Sequence, residues 1–212
     1  MLDYDLYHER SLPHIHPRGK ALFVTIRSAD PIPEKYMSEY RRYKETLQTN
    51  EQEKPNDKEL KQNNNKKAFA YIDDMFHRSN GEISFTDHES VATMISENIQ
   101  ALEGNLCQVY AYTIMPNHLH LLLRPAERDG KPIALAEIMM RFKGISARQV
   151  NLILNRSGSL WYREYYDHWV RNEKEFVNIV EYIRQNPVKA GLVNDADRWR
   201  WTGLNLGDRD GV

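Results

Sequence analysis

The sequence predicts an α+β fold, a ferredoxin-like antiparallel sheet of βαββαβ order with flanking helices and a further helix at its C-terminal end. Three observations predict it. An isolated β-branched and aromatic run, ALFVTIRS, occupies Ala21–Ser28. Two β-rich runs, LCQVYAYTI and HLHLLL, are separated only by Met115-Pro116-Asn117, as in a tight antiparallel hairpin. Stretches of helical period lie between and after these runs, and a split βαβ unit packs such helices against its sheet.

Ala21–Ser28 follows a Pro/Gly-punctuated entry and precedes the turn signal Ala-Asp-Pro-Ile-Pro, which marks it as the first strand. From Glu34 to about Lys67 the chain turns to charged and amide residues, ending in KQNNNKK; this polar insertion reads either as a projecting helical pair or as a loop. Ala68–Arg78 recovers helical spacing through Phe69, Ile72, Met75 and Phe76. His88–Leu102 does the same through Val91, Met94, Ile95 and Ile99, and Gly104 ends it. The hairpin strands are Leu106–Ile114 and His118–Leu123. Ile133 to about Leu154 is the next helix, with Leu135, Ile138, Met139, Phe142 and Val150 on one side. Leu160–Val170, LWYREYYDHWV, is predicted as an aromatic strand. Asn172 and Glu175 match a capping box at the head of the last helix, whose stripe is Phe176, Ile179, Val180 and Ile183. Pro187 disfavours helix in the residue before it, so this helix is expected to stop near Asn186.

At 212 residues, 41% hydrophobic and 28% charged, the chain has the proportions of a single globular domain spanning 1–212, with the insertion at about 34–67. One cysteine, Cys107, excludes an intramolecular disulfide. No apolar run approaches the roughly 20 residues of a membrane span, and the polar opening MLDYDLYHER lacks the pattern of a signal peptide, so a cytoplasmic protein is expected. A net charge of −1 argues against coating nucleic acid by bulk charge. The charge is unevenly spread, however: Ile138–Arg163 carries Arg141, Lys143, Arg148, Arg156 and Arg163 and no acid. Arg141 and Arg148, seven apart, share a helix face.

Two His-x-His patterns occur. His14-Ile15-His16 lies in an aperiodic segment between Pro13 and Pro17 and reads as structural or as an ancillary contact. His118-Leu119-His120 lies in a strand, where period two sends both imidazoles to one face and Leu119, Leu121 and Leu123 to the other. The leucines suit the core, and the paired imidazoles can bind one divalent cation or stand as hydrogen-bonded surface histidines. On the last helix, Tyr182 and Asn186 are four apart and fall at the edge of the apolar stripe, so a phenol and an amide oxygen can face a shared cleft.

MPNHLHLLL at 115–123, REYYDHWVRNEKEF at 163–176 and EYIRQNPVKAGLV at 181–193 together resemble the single-tyrosine HUH transposase superfamily, including its REP-associated tyrosine transposase branch. HIHPRGKALFVTIR and RFKGISARQVN are similar to the family as well, so the likeness spans most of the chain outside the insertion. The resemblance implies that His118, His120 and Asn186 hold Mg²⁺ or Mn²⁺, that Tyr182 is the nucleophile on a catalytic helix, and that Tyr162, Tyr165 and Tyr166 are rival phenols of lesser claim. It implies a metal-dependent DNA transposase that cleaves and rejoins single-stranded DNA near hairpins through a 5′-phosphotyrosine, acting as monomer or homodimer. Arg141, Lys143 and Arg148 are the candidate phosphate contacts, and His14 to Lys20 a candidate reader of a short DNA motif. The alternatives are a non-catalytic nucleic-acid-binding module of the same fold and a histidine-metal hydrolase that uses water.

Overall fold

A computed structural model describes residues 17–79 and 81–207, with Lys58 through its backbone only. The His14-Ile15-His16 motif lies outside the described residues. The chain forms two compact units, Pro31–Glu82 and the rest.

The smaller unit is a helical hairpin, α1 over Glu34–Glu53 and α2 over Lys58–Arg78. Of the two readings open for the insertion, the helical pair is the one observed, and the helix expected at 68–78 is the second half of α2. Asp57 caps α2 by accepting from the Leu60 amide at 2.8 Å. Few apolar residues are available to join the helices, so aromatic and amide contacts do so. Tyr43 stacks on Tyr71 with 4.7 Å between centroids, and buried Asn64 donates from Nδ2 to the Leu47 carbonyl at 3.1 Å.

The larger unit holds the sheet. Its strands are β1 (Leu22–Arg27), β2 (Cys107–Ile114), β3 (His118–Pro125), a two-residue ladder of β4 (Glu127–Arg128) with β5 (Lys131–Pro132), β6 (Tyr166–Trp169) and β7 (Thr202–Leu204). The main sheet runs β6-β1-β3-β2-β7, antiparallel throughout, which is the ferredoxin-like order with one strand added at the edge. Helices α3 (Glu89–Gln100) and α4 (Leu135–Ile153) form one layer. Val91, Ile95 and Ile99 of α3 and Ile138, Met139, Phe142 and Val150 of α4 share a core with Leu22, Val24, Ile26, Leu119, Leu121 and Leu123. Each such side chain contributes about 1.5–3 kcal/mol on leaving water, so this face fixes the sheet. Helix α5 (Glu173–Lys189) crosses the other face, where Phe176 meets Tyr110 edge-on at 5.0 Å. Tyr110 reaches that face because the β2–β3 register slips between Val109 and Ala111 and leaves it as the extra residue of a bulge.

Two expectations are corrected, and one strand is added. Of the predicted strand Leu160–Val170, Tyr166–Trp169 forms β6 and Trp161 makes an isolated antiparallel bridge to Ser28. The side chains of Leu160 and Trp161 also sink into the core, where the Trp161 indole donates to Ser146 Oγ at 2.9 Å and draws this stretch toward the helix layer. The last helix does not stop at Asn186; it continues through Pro187 to Lys189. Pro187 forfeits a single amide bond so near the end, and the following turn is closed by Gly191 (φ 71°), with Gly191 N–H bonded to the Val188 carbonyl and Leu192 N–H to that of Pro187, both at 3.0 Å. Strand β7 was not predicted.

Candidate active site

His118 and His120 leave β3 on the face opposite the leucines, as period two requires. Both are fully buried, their ring centroids are 4.9 Å apart, and one ring nitrogen of each lies within 4.8 Å of the other's. Local partners set the ring orientations. His118 Nδ1 is 2.7 Å from Asn117 Oδ1, in the turn of the hairpin, and His120 Nδ1 is 2.8 Å from Thr25 Oγ1, its direct cross-strand neighbour on β1. With Nδ1–H donated to these oxygens, each imidazole carries its lone pair on Nε2, the arrangement seen where histidines ligate metal.

Tyr182 stands half-buried on α5 beside this pair. Its ring meets His120 edge-on at 5.4 Å and Phe23 edge-on at 5.9 Å, while Phe23 stacks on His120 at 5.6 Å and 22°. Phe23 is thus a wedge, fixed in β1, that sets the tyrosine against the histidine. Asn186 lies one turn further on the same helix face and is fully buried, deeper than the stripe edge where the sequence placed it. The two imidazoles, with ring nitrogens within 4.8 Å of each other, offer a divalent cation two ligands. The residues present therefore fit a divalent cation.

Two of the rival phenols, Tyr165 and Tyr166, hold their protons more firmly than a free tyrosine. Burial, with Asp167 and Glu164 nearby, pushes Tyr165 up to about 12. Burial and Asp167 raise Tyr166 as well. Tyr162 is covered by the Arg27 guanidinium, 3.6 Å from its ring centroid.

The three candidate phosphate contacts, Arg141, Lys143 and Arg148, are all on α4, in the helix layer behind the leucine face, and so across the sheet from His118 and His120. Arg141 and Arg148 are exposed. Lys143 is engaged within the fold: Nζ donates to the Arg163 carbonyl at 2.8 Å, and burial lowers its pKa to about 8. Thr25, Phe23 and Asn117 belong to the site and were missed. Asn117 had a signal in its place next to His118, but Thr25 and Phe23 reach the site only through the β1–β3 register, which no local pattern reveals.

The fold is shared with a solved REP-associated tyrosine transposase bound to a REP hairpin, at a TM-score of 0.52, 14% identity and 93% coverage of both chains. The sequence is more specific. This chain belongs to the IS200-like transposase family, whose profile matches residues 79–186, just over half of it and including His118, His120, Tyr182 and Asn186. Among its relatives are a Haemophilus influenzae protein described as a candidate REP-associated tyrosine transposase, 29% identical over 50% of this chain, and an Escherichia coli REP-associated tyrosine transposase, 25% identical over 43% of it. The matches span 64% and 51% of those relatives' own lengths. Among the described residues no helix is long and apolar enough to cross a membrane.

Proposed function

We propose that the protein is a REP-associated tyrosine transposase: a metal-dependent enzyme that cleaves and rejoins single-stranded DNA next to hairpins through a 5′-phosphotyrosine. The observation that carries this reading is the packing of a helix-borne phenol, Tyr182, against His120 of the paired histidines. In-line displacement needs a nucleophile, a means of neutralising the non-bridging oxygens and a stabilised leaving 3′ oxygen. The phenol oxygen of Tyr182 supplies the first, forming a bond to phosphorus as the bond to the 3′ oxygen breaks and leaves a 3′-OH. His118, His120 and Asn186 would hold Mg²⁺ or Mn²⁺, which when bound polarises the phosphate and stabilises the leaving oxygen. Thr25, Asn117 and Phe23 keep the imidazoles and the phenol in register without touching substrate. The phosphotyrosine conserves the energy of the broken ester, so a 3′-OH can reverse the step without ATP.

Arg141, Lys143 and Arg148 are proposed to hold phosphates of the DNA away from the cleaved bond, Arg141 and Arg148 by their exposure and Lys143 by exchanging its carbonyl partner. The enzyme is proposed to act in the cytoplasm, as a monomer or homodimer. Purified protein incubated with Mn²⁺ and a labelled pool of single-stranded hairpin oligonucleotides is expected to give a denaturation-resistant adduct that Tyr182→Phe abolishes. An adduct that survives the substitution would move the nucleophile elsewhere. Turnover without any adduct would favour water as nucleophile, and tight DNA binding without turnover would favour a non-catalytic module.

A further inference from the structure

The continuation of α5 past Pro187 places a cation against the tyrosine. Tyr182, Asn186 and Lys189 are spaced four and three residues apart and so share one face of the helix. Seven residues separate the phenol from the lysine, a rise of roughly 10 Å, and helical side chains lean toward the N-terminus, so the lysine stem runs back along the helix toward Tyr182. Its Nζ lies 4.5 Å from the centre of the Tyr182 ring. Lys189 itself is exposed, and among the described residues it forms no ion pair. The Gly191 turn that closes α5 fixes the segment carrying it, through the bonds from Gly191 to Val188 and from Leu192 to Pro187.

Taking the phosphotyrosine reading as its basis, we infer that Lys189 is a catalytic residue that binds a non-bridging oxygen of the scissile phosphate, before attack and in the covalent adduct. A phosphodiester carries one negative charge, and in the transition state that charge spreads over oxygens next to the incoming phenol. An ammonium over the Tyr182 ring, which also meets buried His120, is placed to meet it. An exposed lysine over a tyrosine ring is also a common surface packing contact. The two roles differ in what they do to DNA: packing alone leaves affinity for phosphate unchanged, whereas a phosphate contact contributes a counterion-release term.

Lys189→Met keeps the stem and removes the charge, while Lys189→Arg keeps a charge. In the Tyr182→Phe background without metal, the affinity for a labelled single-stranded hairpin oligonucleotide is measured against salt. Lys189→Met is expected to reduce the slope of log K on log salt by about 0.7, the value of one single-strand phosphate, and Lys189→Arg to restore it. In protein retaining Tyr182, with Mn²⁺ and saturating oligonucleotide, Lys189→Met is expected to slow single-turnover adduct formation at least tenfold, with recovery in Lys189→Arg. An unchanged slope and rate in Lys189→Met, with an adduct that still depends on Tyr182, overturns the role of Lys189 and leaves the phosphotyrosine reading standing. An adduct that persists in Tyr182→Phe, or no adduct and no DNA binding in the unsubstituted protein, overturns that reading and this inference with it.

Discussion

Thr25 Oγ1 lies 2.8 Å from Nδ1 of His120, and the two residues face each other directly across β1 and β3. The hydroxyl holds one tautomer and one ring orientation, which fixes where Nε2 points. Thr25→Val preserves shape and β propensity but removes that acceptor. Divalent cation affinity is expected to fall by about tenfold or more, as for other lost partners of metal-ligating histidines. Calorimetric titration with Mn²⁺ reads this directly, and an unaltered affinity would show that the hydroxyl does not orient the ring.

A second network anchors the head of the tyrosine helix. Asn172 caps α5 by accepting from the Glu175 amide at 2.9 Å, but the Glu175 carboxylate reaches past the cap to the Arg171 amide at 2.9 Å and to His168 Nε2 on β6 at 3.1 Å. Burial acts to raise the Glu175 pKa, and the amide of Arg171 together with the charges of His168 and Arg171 outweighs it, so the carboxyl sits below its ordinary value. A depressed carboxylate pKa gives stability that is present above the unfolded-state pKa and is lost as pH falls through the folded one. Glu175→Gln is therefore expected to cost about 1 kcal/mol at neutral pH, the order of a deleted charge-assisted hydrogen bond, and progressively less as both proteins are acidified. Urea denaturation at neutral and acidic pH measures the difference; a gap that stays constant with pH would remove the carboxylate charge from the account.

Gly203 on the edge strand β7 sits opposite Tyr112 of β2. A Cβ there would come within 2.2 Å of Tyr112 Cε1. The ring cannot swing away freely, because its hydroxyl is bonded to Ser96 Oγ on α3 at 2.7 Å. Gly203→Ala is expected to destabilise by about 1–3 kcal/mol, the cost of overpacking, with fraying of β7. Amide exchange across Thr202–Leu204 should rise in parallel, and an unchanged denaturation midpoint would mean that the Tyr112 ring relaxes.

How much of this could be read from the chain depended on the range over which each signal acts. Period-two alternation in HLHLLL assigned both faces of β3, and the cap and stripe of the last helix put Tyr182 at its edge, since these signals arise from neighbours in sequence, but only the family resemblance singled that tyrosine out. The site itself joins three separate segments. Phe23 and Thr25 enter it by strand pairing, and neither placement has a local signature. The failure at Pro187 has a different origin. The rule about residues preceding proline is a local steric preference, and here the buried ring of Pro187 and the Gly191 closure outweigh it. The strand expected at Leu160–Val170 is shortened to Tyr166–Trp169 with a bridge at Trp161, whose side chain is buried in the core. Segment 202–204 is too short for periodicity to mark, and its strand character comes from β2 beside it.

Two glycines test whether backbone conformation alone decides the sign of a substitution. At both Gly144 and Gly191 an added Cβ would meet no other atom within 4 Å, so packing predicts no penalty at either. Gly144 lies inside α4, where glycine is a poor helix former and gives the unfolded chain extra freedom. Gly144→Ala is expected to stabilise by about 0.5–1 kcal/mol. Gly191 holds φ 71° in the turn that ends α5, a conformation in which a Cβ crowds the following carbonyl. Gly191→Ala is expected to cost about 1 kcal/mol and to loosen the turn that carries Lys189. Denaturant midpoints of the two variants should therefore move in opposite directions from the parent, and a shared direction would mean that the closing turn of α5 is not held in the left-handed conformation.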